Sequence, residues 1–127
     1  MDDTRLGAVE SQFADIIWKN APLSSRDLVK LCQQQLEWKK STTYTVLKKL
    51  CDRGIFQNED GLVTPLVSRQ EFHARQSQRF VEETFQGSLP AFISAFASGK
   101  KLSPQDVSDI RRMLDEYGKE LSLIHIS

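Results

Sequence analysis

A chain of 127 residues, 39% of them hydrophobic, is long enough to bury a core as one domain or two small ones. Its 17 basic and 17 acidic side chains cancel, and each half of the chain is itself balanced, so a strongly charged partner would have to be met by a local patch. No apolar run approaches the roughly 20 residues needed to cross a bilayer, and the N-terminus lacks the apolar segment of a signal peptide, which sets the expectation of a cytoplasmic protein.

Val9, Phe13, Ile16 and Ile17 recur at helical spacing and predict a first helix from about Leu6 to Lys19, with Trp18 packing beside the stripe. Asn20-Ala21-Pro22 ends it. Ser24, with Asp27 three residues later, resembles a capping box. The second helix then carries Leu28, Leu31, Cys32 and Leu36 on one side and ends near Glu37.

The stretch from Trp38 to Gly54 organises the rest. Lys40 or Ser41 can begin a helix there, and Gly54 can end it in the left-handed conformation that other residues avoid. Leu47, Leu50 and Cys51 share one face, with Thr43 behind them. Ser41, Thr42, Thr45, Lys48, Lys49 and Asp52 point away from it, and Tyr44 sits on the shoulder. Lys39, Lys40, Lys48, Lys49 and Arg53 face only Asp52 as an opposing charge, so the segment is locally basic. Such a face suits a DNA major groove, where Ser and Thr reach base edges and Lys neutralises phosphate. It would also serve as a plain solvated helix surface.

Ile55-Phe56-Gln57-Asn58 and Leu62 to Val67 read as two short strands around Glu59-Asp60-Gly61. Ile55, Phe56, Leu62 and Leu66 are expected to cover the helices. Three helices followed by a hairpin is the winged-helix order, although Glu59 and Asp60 at the tip would repel phosphate. Ser68 with Glu71 then caps a largely polar helix to Phe85, bearing Phe72, Phe80 and Val81. After Gly87, a short apolar helix from Ser88 holds Phe92, Ile93 and Phe96. Gly99-Lys100-Lys101 is a break, and Ser103-Pro104 opens a last helix with Val107, Ile110, Leu114, Tyr117 and Leu121 in a narrow stripe.

The expected architecture is therefore mostly α with a small β-hairpin. Residues 1–68 form a winged helix-turn-helix unit and 69–121 a helical dimerisation region, followed by a tail, 122–127, of unknown role that continues no helical pattern. The dimerisation residues are Phe80, Phe85, Phe92, Ile93, Phe96, Val107, Ile110, Leu114 and Tyr117. Cys32 and Cys51 read as core residues, and His73 and His125 are isolated, so neither a metal nor a cofactor is implied. No carboxylate pair, nucleophile–base set or phosphate loop appears at usable spacing, which argues against an enzyme.

Ile17-Trp18, Trp38, the run Thr42 to Leu50 with Gly54, Pro65 to Phe72, Gly87 to Phe92 and Leu102-Ser103 together resemble the penicillinase-repressor family of winged-helix transcriptional repressors, from Val9 to about Tyr117. The resemblance implies a homodimer on a pseudopalindromic operator in double-stranded DNA. The contacts would come from Lys39, Lys40, Ser41, Thr42, Tyr44, Thr45, Lys48 and Lys49. It also implies release by proteolysis after signalling from a membrane sensor metalloprotease, as in beta-lactam regulation of antibiotic resistance. The matching position is Ala95-Phe96, without the family's usual asparagine. The paired Cys-x-Cys motifs of a copper-responsive branch are absent, and no small-molecule ligand is inferred. The alternative is a winged-helix protein-interaction module.

Overall fold

The computed structural model describes residues 6–126, with side chains described through Ile124. Six helices run in order: α1 (Ala8–Asn20), α2 (Ser25–Leu36), α3 (Lys40–Asp52), α4 (Arg69–Phe85), α5 (Leu89–Gly99) and α6 (Pro104–Ile126). Three short strands, β1 (Leu23–Ser24), β2 (Phe56–Glu59) and β3 (Leu62–Pro65), form an antiparallel sheet in the order β1-β3-β2. The expected fold class holds, with one addition. The hairpin gains a third strand because Leu23 and Ser24 pair with Val63 and Leu62, a partner two residues long that leaves no alternating pattern to read.

The helix starts follow the local chemistry. Ser24, Ser68, Ser88 and Ser103 each accept the backbone N–H three residues on, at 3.0–3.1 Å, satisfying one of the orphan donors of the first turn. The wing closes through Asp60 (φ 51°) and Gly61 (φ 87°), with Glu59 opposite Leu62. Two successive positive φ angles are the signature of a type I′ turn, whose twist matches that of the strands. Asn58 Oδ1 accepts the Gly61 N–H at 3.1 Å and pins the tip.

One core joins α1, α2, α3 and the sheet: Phe13, Ala14, Ile17, Leu28, Cys32, Leu50, Phe56 and Val63 lose all access to solvent. Phe72, on the first turns of α4, is buried in the same cluster. Three expectations are corrected here. Leu62 and Leu66 do not cover the helices: they are 50% and 54% exposed, and Val63 and Val67 are buried instead. Successive side chains on a strand face opposite ways, so the register that buries Val63 must turn Leu62 outward. Val9 is 52% exposed although it continues the stripe of α1, because the core meets α1 only from Phe13 onward. The tail does not break from the helical pattern either; α6 continues through it to Ile126. His125 lies outside the described side chains.

Beyond Phe72 none of the described side chains is buried. α5 leans on α4 through aromatic rings: Phe80, Phe85 and Phe92 stand 5.6–5.9 Å apart by centroids, in edge-to-face geometry. Phe96 joins them at 6.3 Å from Phe92. Ile93, Met113, Leu114, Tyr117 and Leu121 are exposed.

Candidate nucleic-acid interface

α3 is held from three sides. Thr43, Leu47 and Leu50 are its buried face, and the Thr43 hydroxyl donates to the Lys39 carbonyl at 3.3 Å. Just before the helix, the Trp38 ring stacks on the buried Phe13 ring at 5.3 Å and 26°, which fixes where α3 begins. At its far end Gly54 takes φ 78°. The N–H of Ile55 bonds the Leu50 carbonyl and that of Gly54 the Cys51 carbonyl, the paired bonds of a Schellman motif. Lys40 begins the helix and Gly54 stops it, as predicted, so the helix expected over 41–53 runs one residue earlier, Lys40–Asp52.

No side chain caps the N-terminus of α3. Its first N–H groups and the positive end of its dipole emerge between Lys39 and Lys40, an arrangement that favours an anion. Lys39, Lys40, Ser41, Thr42, Thr45 and Lys48 are all exposed, so the structure brings these candidates onto one solvent-facing surface. Thr45 donates its hydroxyl to the Ser41 carbonyl at 2.9 Å, which orients the oxygen and leaves its lone pairs for a partner. Asp52 is exposed on the same helix.

Two candidates are engaged elsewhere. The Tyr44 hydroxyl lies 3.2 Å from Ser25 Oγ and joins α3 to the start of α2, with its ring half-buried. Lys49 Nζ lies 2.9 Å from Glu10 Oε2 on α1. Glu10's other oxygen accepts the Gly7 N–H at 3.1 Å. The bond from Lys49, then that from Gly7, holds the Glu10 carboxyl below its ordinary value, and the Arg53 charge adds to the effect. Glu10 escapes sequence reasoning because its partner lies far along the chain; only its position three residues after Gly7, suited to a helix start, is visible in sequence.

The wing tip carries exposed Glu59 and Asp60, as expected. Cys32 is buried and Cys51 half-buried, and burial pushes both thiols up. His73 lies edge-on to Trp18 at 6.3 Å. Among the described residues no three His, Cys, Asp or Glu side chains group as a metal site would require, and no helix is long and apolar enough to cross a membrane. Ala95 and Phe96 lie inside α5, both exposed. Phe80, Ile93, Phe96, Leu114 and Tyr117 are exposed, whereas Phe85, Phe92, Val107 and Ile110 are half-buried within the single chain.

A helix pair whose second member presents lysines and hydroxyls, backed by a three-stranded antiparallel sheet and followed by helices, defines a winged-helix protein with a helical C-terminal region. The sequence profile described as penicillinase repressor matches residues 6–116, and the chain belongs to this family of regulatory repressors. It is 20% identical over 117 residues to the penicillinase repressor of Bacillus licheniformis, covering 89% of this chain and 91% of that protein. It is 22% identical over 115 residues to the methicillin resistance regulatory protein MecI of Staphylococcus aureus (strain Mu50), covering 87% and 94%. To MecI of Mammaliicoccus sciuri it is 21% identical over the same length and shares.

Proposed function

We propose that this chain is a homodimeric transcriptional repressor that holds a pseudopalindromic operator, with one α3 from each subunit in successive major grooves. The observation that carries the reading is the outward face of α3, where Lys39, Lys40, Ser41, Thr42, Thr45 and Lys48 stand exposed at and beyond an uncapped helix N-terminus. Residues 1–68 would bind DNA, and 69–121 would join the two subunits. The exposed Phe96, Leu114 and Tyr117 supply apolar surface that a second copy would cover. Tethering two half-sites raises the effective concentration of the second recognition helix, which a monomer with few phosphate contacts requires.

Release would follow a cut at Ala95-Phe96 after signalling from a membrane metalloprotease sensor. That cut would sever α6 from the DNA-binding unit. The names of the relatives support regulation of beta-lactam resistance.

A salt titration of binding to the DNA upstream of its own coding sequence tests the reading. Lys40→Ala and Lys48→Ala should each make the salt dependence shallower by about one per lost phosphate contact. An unchanged slope in both would reject the groove assignment.

The second reading is a protein-interaction module using the same α3 face. It is favoured by the acidic wing tip and by Asp52 beside the lysines. Absence of any shift of duplex DNA at low salt would support it.

A further inference from the structure

The basic surface of α3 contains a built-in competitor. Glu10 Oε2 sits 2.9 Å from Lys49 Nζ, while Oε1 is held by the Gly7 N–H at 3.1 Å. The carboxylate is thus fixed by its own helix and does not depend on Lys49 for its place. The lysine is the freer partner, its side chain 58% exposed against 22% for Glu10. A carboxylate that accepts a lysine at this distance offers the same contact that a DNA phosphate would. Lys39, Lys40 and Lys48 make no ion pair with any described residue, so this competition falls on the flank of α3 that faces α1.

We propose that Glu10 is an internal phosphate mimic that holds Lys49 back from nucleic acid and so sets how tightly, and how salt-dependently, the repressor grips DNA. The inference rests on the DNA-binding reading of α3. Its consequence is a damped non-specific affinity. Non-specific binding is electrostatic and grows with the number of phosphates neutralised, so withholding one cation per subunit weakens every random site. A well-fitted operator that draws a phosphate against Lys49 can displace Glu10, whereas a random site gains less from doing so. Glu10 would then act as a positioning residue for discrimination, working through Lys49.

Glu10→Gln is the clean variant. The glutamine oxygen can still accept the Gly7 N–H, and glutamine suits the third helical position as glutamate does, so α1 keeps its start while the charge is removed. Binding is measured across a salt series with full-length protein and a mixed-sequence duplex of about 30 base pairs, long enough for both subunits. Glu10→Gln should steepen the salt slope by about one per subunit and tighten binding several-fold at about 0.1 M salt. In a Lys49→Gln background, adding Glu10→Gln should no longer steepen it.

Unchanged or weakened binding in Glu10→Gln overturns the proposal. So does a steepening that persists without Lys49, which would assign the gain to another cation. Lys48→Gln, measured alongside, separates the two levels. If both it and Lys40→Ala leave the slope unaltered, the DNA-binding reading itself fails and this inference with it. If either flattens the slope while Glu10→Gln does nothing, only the inference is lost.

Discussion

The Trp18 indole nitrogen donates to the Val67 carbonyl at 2.9 Å, closing the end of α1 onto the segment that leads from the wing into α4. The same ring lies 5.3 Å from Phe56 and 5.6 Å from Phe72, so one side chain joins α1, β2 and α4. An exposed ion pair between Arg69 and Asp15, at 3.1 Å, lies beside it. Trp18, together with the buried Phe72, therefore ties α4 to the N-terminal helices and sheet. Trp18→Phe keeps an aromatic ring there but strands the carbonyl of the buried Val67. Losing that bond should cost about 1–3 kcal/mol, read as a lower urea midpoint with an unchanged denaturant slope. Trp18→Phe at full stability would show that the carbonyl finds water instead.

Gly54 offers a test in which packing has no part. A Cβ built at this position meets nothing within 4 Å, so any penalty for a side chain comes from the backbone at φ 78°. Gly54→Ala should lose about 1–2 kcal/mol through the left-handed conformation alone, and Gly54→Asn less, because asparagine tolerates that region. Thermal unfolding of the two variants beside the parent gives the ranking. Equal losses would point to a different cause.

The legibility of the fold follows from how local each cause is. The serine caps, the Asp60-Gly61 turn and the stop at Gly54 are short-range devices, and each appears where the sequence predicts it. The two strands of the hairpin were visible but not which face they bury: Leu62 and Leu66 are as apolar as Val63 and Val67, and only pairing in space sets the register. β1 has two residues and its partner is distant, so no pattern marks it. At the candidate site the exposed lysines and hydroxyls of α3 were legible from helical periodicity. The engagement of Tyr44 with Ser25 and of Lys49 with Glu10 was not, since both are contacts between helices.

Acid weakens one of those contacts in a defined direction. Because the folded-state pKa of Glu10 lies below its ordinary 4.5, the ionised carboxylate stabilises the fold at pH values above 4.5. That contribution disappears as the pH falls through the depressed value. With Lys49 more than half exposed, the pair is screened and worth about 1 kcal/mol or less. Glu10→Gln should therefore melt slightly below the parent at neutral pH, and the difference should shrink as the pH falls below 4.5 or as salt is added. A gap that widens in acid would contradict the pairing.

Leu114 and Tyr117 are 58% and 59% exposed in the single chain, so a charge at either position should leave the subunit folded. If α6 meets a second copy, Leu114→Asp and Tyr117→Asp bury that charge in the dimer, at a cost of about 2 kcal/mol or more each. Sedimentation should show monomers at concentrations where the parent is dimeric, with unchanged far-UV circular dichroism. DNA binding should weaken in parallel, because each half-site then binds alone. Dimers that survive both substitutions would place the subunit contact elsewhere.

A protease attacking α5 would face a conformational barrier, because the Ala95-Phe96 bond lies in the interior of Leu89–Gly99 and the Phe96 carbonyl accepts the Lys100 N–H at 2.9 Å. A protease acts on the transiently opened segment, so its rate follows the open population when opening and closing are fast. Gly99 closes the helix without a positive φ, and a Cβ there meets nothing within 4 Å, so alanine fits without strain. Gly99→Ala should favour the closed helix by up to about 1 kcal/mol and slow cutting about two- to fivefold. An aromatic-specific protease provides the assay, with cuts after Phe92 or Phe96 followed by mass spectrometry. The fold should be equally stable to heat, since α5 contributes no residue to the buried core. An unaltered cutting rate would mean that α5 opens too readily for its last residue to matter.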